Sequence, residues 1–209
     1  MQKLDLRKDL KAYYNPSPKR PEVIKIPLFQ FIMIDGAIEP GHGPSTSPGF
    51  AEAMQGLYGI AYTLKFISKL RKEDPIDYPI MALEGLWWVN DGHFDISKPD
   101  NWQYTLMILQ PAHITQEMFT QGLGQLRKKR GDLPTFSRLR LEAFEEGLAV
   151  QIMHIGPYSS EPGTVEMMRA FASENGYLMR NKHHEIYLGD PRRSDPGKLK
   201  TILRHPVEQ

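Results

Sequence analysis

The sequence predicts an α+β fold made of two βαββ modules in one domain of 209 residues. Three observations predict it. Runs rich in β-branched and aromatic residues alternate with runs of helical periodicity along the chain. The order strand, helix, strand, strand occurs over about 23–112 and again over about 147–207, with 113–146 supplying a connecting helix and strand. Local details also match: Ile32-Met33-Ile34-Asp35-Gly36 against Ile152-Met153-His154-Ile155-Gly156, and Leu83-Glu84-Gly85 against His184-Glu185-Ile186. Such a duplication implies two antiparallel sheets related by a pseudo-twofold axis. A central cleft would lie between them, with Glu84 and Glu185 at equivalent places on its opposite walls.

The elements follow in order. A polar leader with Tyr13-Tyr14 and three prolines precedes a strand over Val23–Asp35, which Gly36 stops. Ser47-Pro48 reads as N-cap and first helical residue. Behind it Phe50, Met54, Leu57, Ala61, Leu64 and Ile67 recur at helical spacing, to about Arg71. Tyr78–Val89 reads as a strand, Asn90-Asp91-Gly92 as a turn, and Trp102–Gln110 as the hairpin partner. A second helix follows Thr115, ends in Lys128-Lys129-Arg130 where the helix dipole favours cations, and stops at Gly131. Leu139–Glu145 predicts a short strand and Leu148–Gly156 a second one. A helix from Ser159–Pro162 buries Val165, Met168 and Ala172, and His183–Leu188 with Leu199–His205 forms the last hairpin.

Composition excludes several functions. With 26 Lys+Arg against 25 Asp+Glu, the net charge of +1 offers no field to attract nucleic acid or an anionic membrane. There is no cysteine, hence no disulfide, thiolate zinc site or cysteine nucleophile. Residues 1–11 mix charges and lack the apolar core of a signal peptide, and no apolar run approaches the roughly 20 residues of a membrane span. These readings point to a cytoplasmic protein without a cofactor. His183 and His184 are adjacent on a strand, point opposite ways and cannot chelate one metal, so no metal site is predicted.

The candidate site lies on that same segment. Strand alternation puts Ile186 and Leu188 on one face and His183, Glu185 and Tyr187 on the other. A carboxylate beside a phenol can hold a cation, or act as base and hydrogen-bond donor on a bound molecule. Trp87, Trp88, Tyr58 and Tyr158 are candidate walls for a flat ligand, with Glu84 and His154 as further contacts. Alternation forbids Trp87 and Trp88 from sharing a face without a bulge, for which Gly85 offers a place. In a plainer reading Glu185 pairs with Arg192, Arg193 or Arg204 on a surface strand, and His154 is a hydrogen-bonded sheet histidine.

Five motifs in order resemble the GyrI-like small-molecule-binding family: Leu57-Tyr58-Gly59-Ile60-Ala61-Tyr62, Leu83-Glu84-Gly85-Leu86-Trp87-Trp88, Met153-His154-Ile155-Gly156-Pro157-Tyr158, His184-Glu185-Ile186-Tyr187-Leu188 and Thr201-Ile202-Leu203-Arg204. The resemblance implies two βαββ (SHS2-type) modules with a ligand cleft between their sheets. It further implies similarity to a stand-alone subgroup of cyclopropanoid cyclopropyl hydrolases, which open the cyclopropane of yatakemycin-type DNA alkylators in detoxification. On that reading Glu185 and Tyr187 are catalytic, and the partner is a planar aromatic or lipophilic small molecule. One chain suffices for the cleft, so a monomer is enough. A strand beginning by Val23 leaves no room for a preceding DNA-binding helix pair. Two other functions compete: non-catalytic binding or sensing of lipophilic cations with Glu185 as counter-ion, and a protein-interaction role such as damping gyrase.

Overall fold

In the computed structural model, which describes every residue except His93, Asp100 and Arg192, the chain runs β1 (Gln2–Lys3), α1 (Leu6–Asp9), α2 (Lys11–Tyr14), β2 (Glu22–Ala37), α3 (Pro48–Leu70), β3 (Ile76–Asp77), β4 (Leu83–Trp88) and β5 (Gln103–Gln110). It continues through α4 (Gln116–Arg130), α5 (Pro134–Ser137), β6 (Arg140–Ile155), α6 (Glu161–Glu174), β7 (Leu178–Met179), β8 (His183–Tyr187) and β9 (Lys200–Glu208). Six strands pair in the order β6-β2-β5-β4-β8-β9, and β9 returns to β6. The result is one closed antiparallel barrel. This corrects the expectation of two separate sheets with a cleft between them: the long β2 and β6 pair with each other from Glu22–Gln151 to Met33–Arg140 and zip the halves together.

Local chemistry explains the main helix. The Ser47 hydroxyl accepts the Phe50 amide at 3.0 Å, Pro48 occupies the first turn, and Phe50, Ala53, Leu57, Ile60, Ala61 and Leu64 form its buried stripe against β2 and β5. On the other half Val165, Met168 and Ala172 of α6 pack on Val150, Ile152, Leu203 and Val207. Both helices therefore cover the outside of the barrel.

Two boundaries differ from expectation, each for a tertiary reason. Residues 140–155 form a single strand, since pairing to β2 holds on both sides of Gly147, whose φ of +77° suits glycine. The boundary expected at 146 thus falls inside an element. The turn expected at Asn90-Asp91-Gly92 is instead part of a long connection between Trp88 and Gln103, which folds Phe94 and Ile96 back onto the core.

Register fixes which side chains share a face, because residues paired across strands point the same way. Trp87 pairs with Tyr104 and His183, Gly85 with Leu106 and Glu185, and Leu83 with Ile108 and Tyr187. Trp87 stacks on Phe50 of α3 at 5.7 Å, so this set faces outward, under the helices. Glu84, Leu86, His184 and Ile186 turn into the barrel.

Candidate functional site

On the outward face Glu185 and Tyr187 stand two residues apart on β8, and the Tyr187 hydroxyl donates to Glu185 Oε2 at 2.7 Å. The Trp87 indole N–H donates to the Tyr187 oxygen at 3.0 Å, completing a chain from β4 to β8. Glu185 is only 5 % exposed and Trp87 is buried. Burial and the neighbouring Glu185 carboxylate raise the Tyr187 pKa well above 10, so its proton stays in place. Gly85, between Trp87 and the β8 pair, makes this possible: a Cβ there would lie 2.8 Å from the indole nitrogen. The glycine admits the ring and makes no bulge, since pairing is regular from Leu83 to Trp88.

Around this pair lie Tyr158 and His183, as the sequence predicts, together with groups that it leaves unassigned. Glu161, first residue of α6, is 2 % exposed, and burial together with Glu185 lifts its pKa to about 9. Thr201 is opposite Tyr187 on β9 and slightly favours ionised Glu161, although neither Glu161 Oε1 nor Thr201 Oγ1 makes a well-formed hydrogen bond. The Tyr158 ring, itself partly exposed, meets the Tyr187 ring edge-on at 6.0 Å. His183 Nε2 is 3.5 Å from Glu185 Oε1, and Phe94 stacks on the His183 ring at 5.7 Å. Phe94 also contacts Trp102, which contacts Trp87. Of the buried polar side-chain atoms without a hydrogen bond among the described residues, four collect here: Glu161 Oε1, Thr201 Oγ1, His183 Nε2 and Trp102 Nε1. Folded chains rarely leave such groups unpaired, so their gathering around Glu185 and Tyr187 makes this the candidate site.

Other predicted residues go elsewhere. Glu84 is a correction: it pairs with Ile186 and not with Glu185, so it points into the barrel and is not a matching wall of the same cleft. There it accepts Tyr14 O–H at 2.7 Å and contacts His184 Nε2 at 3.0 Å. His184 Nδ1 meets both Glu146 oxygens at 3.0 Å, and Arg204 donates to Glu146, to Gln151 and to the Tyr13 carbonyl. With both ring nitrogens against carboxylates, His184 is the doubly protonated cation. Burial alone would depress its pKa, but Glu146 and Glu84 raise it to about 9. Two carboxylates then balance one imidazolium and one guanidinium inside the barrel.

Trp88 faces away from Trp87, with the Lys182 ammonium 3.3 Å from its ring centroid, at a depression of about 470 Å³ shared with Asp35, Thr105 and Arg140. Tyr58 lines a separate depression of about 390 Å³ between α3 and α4, beside Tyr62, Phe66 and Arg130. Neither joins the Glu185 group. His154 is on the Glu185 face, at 2.8 Å from Thr164 Oγ1 and 3.1 Å from Ser160 Oγ, where it ties down the turn that delivers Glu161. Of the arginines expected to pair with Glu185, Arg204 serves the interior and Arg193 approaches Asp190 at 3.9 Å, while Arg192 lies outside the described residues. Among the described residues no group of three or more His, Cys, Asp or Glu could hold a metal, and no helix is long and apolar enough to cross a membrane.

Residues 134–208, which carry β8, β9 and α6, match the GyrI-like small molecule binding domain. An uncharacterized conserved protein of Listeria innocua is 39 % identical over 98 % of this chain and 100 % of its own, with a TM-score of 0.89. The chain belongs to the GyrI-like family. A hydrolase from Listeria innocua is 38 % identical over 98 % of this chain and 100 % of its own, at a TM-score of 0.82. The C-terminal domain of EcmrR, 13 % identical over 91 % of this chain and 98 % of its own, is similar in fold at a TM-score of 0.55. No curated protein matches by sequence.

Proposed function

We propose that this GyrI-like chain binds a planar hydrophobic molecule on the outward face of β4 and β8 and hydrolyses a strained electrophile there. The substrate class is the dienone-conjugated cyclopropane of yatakemycin-type DNA alkylators, and the role is detoxification. The recurring order β2-α3-β4-β5 and β6-α6-β8-β9 is taken as a duplication that lets one chain complete the site. The observation that carries the proposal is the buried relay from Trp87 N–H to Tyr187 O–H to Glu185 Oε2. The hydrolase from Listeria innocua supports it.

The chemistry follows from that relay. A single O–H gives a single hydrogen bond, so Tyr187, donating to Glu185, orients the carboxylate. Trp87 in turn holds the phenol. This leaves Oε1 to take a proton from water as the water attacks the exposed cyclopropane carbon. The ring carbon–carbon bond breaks into the dienone, whose oxygen becomes a phenolate, and aromatisation drives the step. Tyr158 and the half-buried Phe94 offer flat apolar surface to such a ligand, while the buried Trp87 and Trp102 keep water from the protein side of the relay.

Glu185→Gln keeps size and hydrogen bonding but not basicity. Turnover of a cyclopropane alkylator, followed by mass analysis of the water adduct, falls by roughly 100-fold or more, while binding persists. Full turnover in that variant removes Glu185 from the mechanism. A second reading has its own support: neither Glu185 nor Glu161 forms an ion pair with Lys or Arg among the described residues, as suits a receptor for lipophilic cations. In that case the wild-type protein shelters the alkylator and returns it intact.

A further inference from the structure

The hydrolysis proposed above leaves one proton unassigned. The developing phenolate needs a donor, and the Tyr187 hydroxyl is already committed to Glu185 Oε2. We infer that Glu161 is the acid of this site, the group that protonates the substrate oxygen while Glu185 activates water. The inference rests on that hydrolytic reading.

Its basis is geometric. Glu161 is the first residue of α6, 2 % exposed, with Oε1 free of hydrogen bonds on the face that carries Glu185, Tyr187 and Thr201. The groups that face it are Glu185 and Tyr187 from β8, Thr201 from β9 and Tyr158 from the preceding turn, with His154 of β6 bracing that turn. Among the described residues no lysine or arginine faces it. A helix N-terminus favours a carboxylate, but burial and the Glu185 charge prevail and place the Glu161 pKa at about 9. Two carboxyls with divergent environments are the arrangement that separates an acid from a base in one site.

The step balances. Water loses a proton to Glu185 and forms the new carbon–oxygen bond. The cyclopropane carbon–carbon pair moves into the ring and onto the oxygen, and that oxygen takes the Glu161 proton. Substrate plus water becomes the ring-opened alcohol and phenol. Proton exchange with solvent then restores ionised Glu185 and neutral Glu161.

The test compares kcat against pH for wild type and Glu161→Gln on a cyclopropyl dienone alkylator. Wild type loses rate above pH 9 as the acid ionises. Glu161→Gln loses that limb, and its kcat at pH 7 drops by roughly 100-fold, with Trp-quench titration of a planar ligand unchanged. Should the variant not fold, difference infrared spectroscopy of wild type still decides the matter: a protonated carboxyl band must disappear near pH 9. An active wild type whose alkaline limb and kcat survive in Glu161→Gln, or a carboxyl band absent at pH 7, overturns the acid role alone. A wild type that opens no ring overturns the hydrolytic reading and this inference with it.

Discussion

Raising the pH from 6 to 9.5 is predicted to remove about 3 kcal/mol of folding stability through His184. In the folded barrel its imidazolium is held between Glu146 and Glu84, so its pKa is about 9 where an unperturbed histidine has 6.5. A raised pKa gives stability that is fully present below 6.5 and is lost as pH climbs through 9. The difference of roughly 2.5 units, at about 1.4 kcal/mol each, sets the magnitude. Glu161 shifts in the same direction from 4.5 to about 9, so Glu161→Gln is the background in which to isolate the histidine. Groups with lowered values act mostly elsewhere: His205, held down to about 3 by burial and by His183, weakens the fold as pH falls below 6.5 and offsets about 1 kcal/mol of the difference at pH 6. Urea unfolding followed by far-ultraviolet circular dichroism at pH 6, 7.5, 9 and 9.5 reads the effect as a midpoint shift of about 1 M or more, given slopes of roughly 2–3 kcal/mol/M. Replacing Glu84 by Gln removes one of the two carboxylates and narrows the window. Equal midpoints at pH 6 and 9.5 in Glu161→Gln would mean that the interior histidine is neutral, and the charge balance described for the barrel would be wrong.

Two further predictions concern the relay. Trp87→Phe keeps the stacking on Phe50 but removes the N–H to Tyr187. It costs about 1 kcal/mol of stability and lowers kcat with little change in ligand affinity, as steady-state kinetics and thermal unfolding will show; unchanged kcat excludes Trp87 from positioning. Gly85→Ala puts a methyl 2.8 Å from the Trp87 indole nitrogen. The ring must shift, destabilising the protein by about 1–3 kcal/mol and altering Trp fluorescence, and a variant as stable and as active as wild type contradicts the close approach.

Much of this site was legible in one segment of sequence. Alternation over His183–Tyr187 separates Glu185 and Tyr187 from Ile186, and pairing bears out that separation with a 2.7 Å hydrogen bond. Alternation likewise parts Trp87 from Trp88 and His183 from His184, as the register confirms. Glu161 was not legible, since a glutamate at a helix start is ordinary there and nothing local says that the helix end is buried. Glu84 misled for a related reason. Matching Glu84 with Glu185 by motif position ignored the pairing of Gly85 with Glu185, which reverses the face. Trp88 and Tyr58 were chosen by residue type, which says nothing of where a ring points.

The local periods of the chain determined its strands, its capped helices and the two-residue spacing of Glu185 and Tyr187, because those depend on backbone geometry over a few neighbours. The closing of six strands into a barrel, the charge-balanced interior around His184, and the approach of Glu161 and of the Trp87–Tyr187 relay to one carboxylate were decided only by tertiary structure. Those contacts include pairs a hundred or more positions apart, and their energy comes from register and burial that no short window of sequence contains.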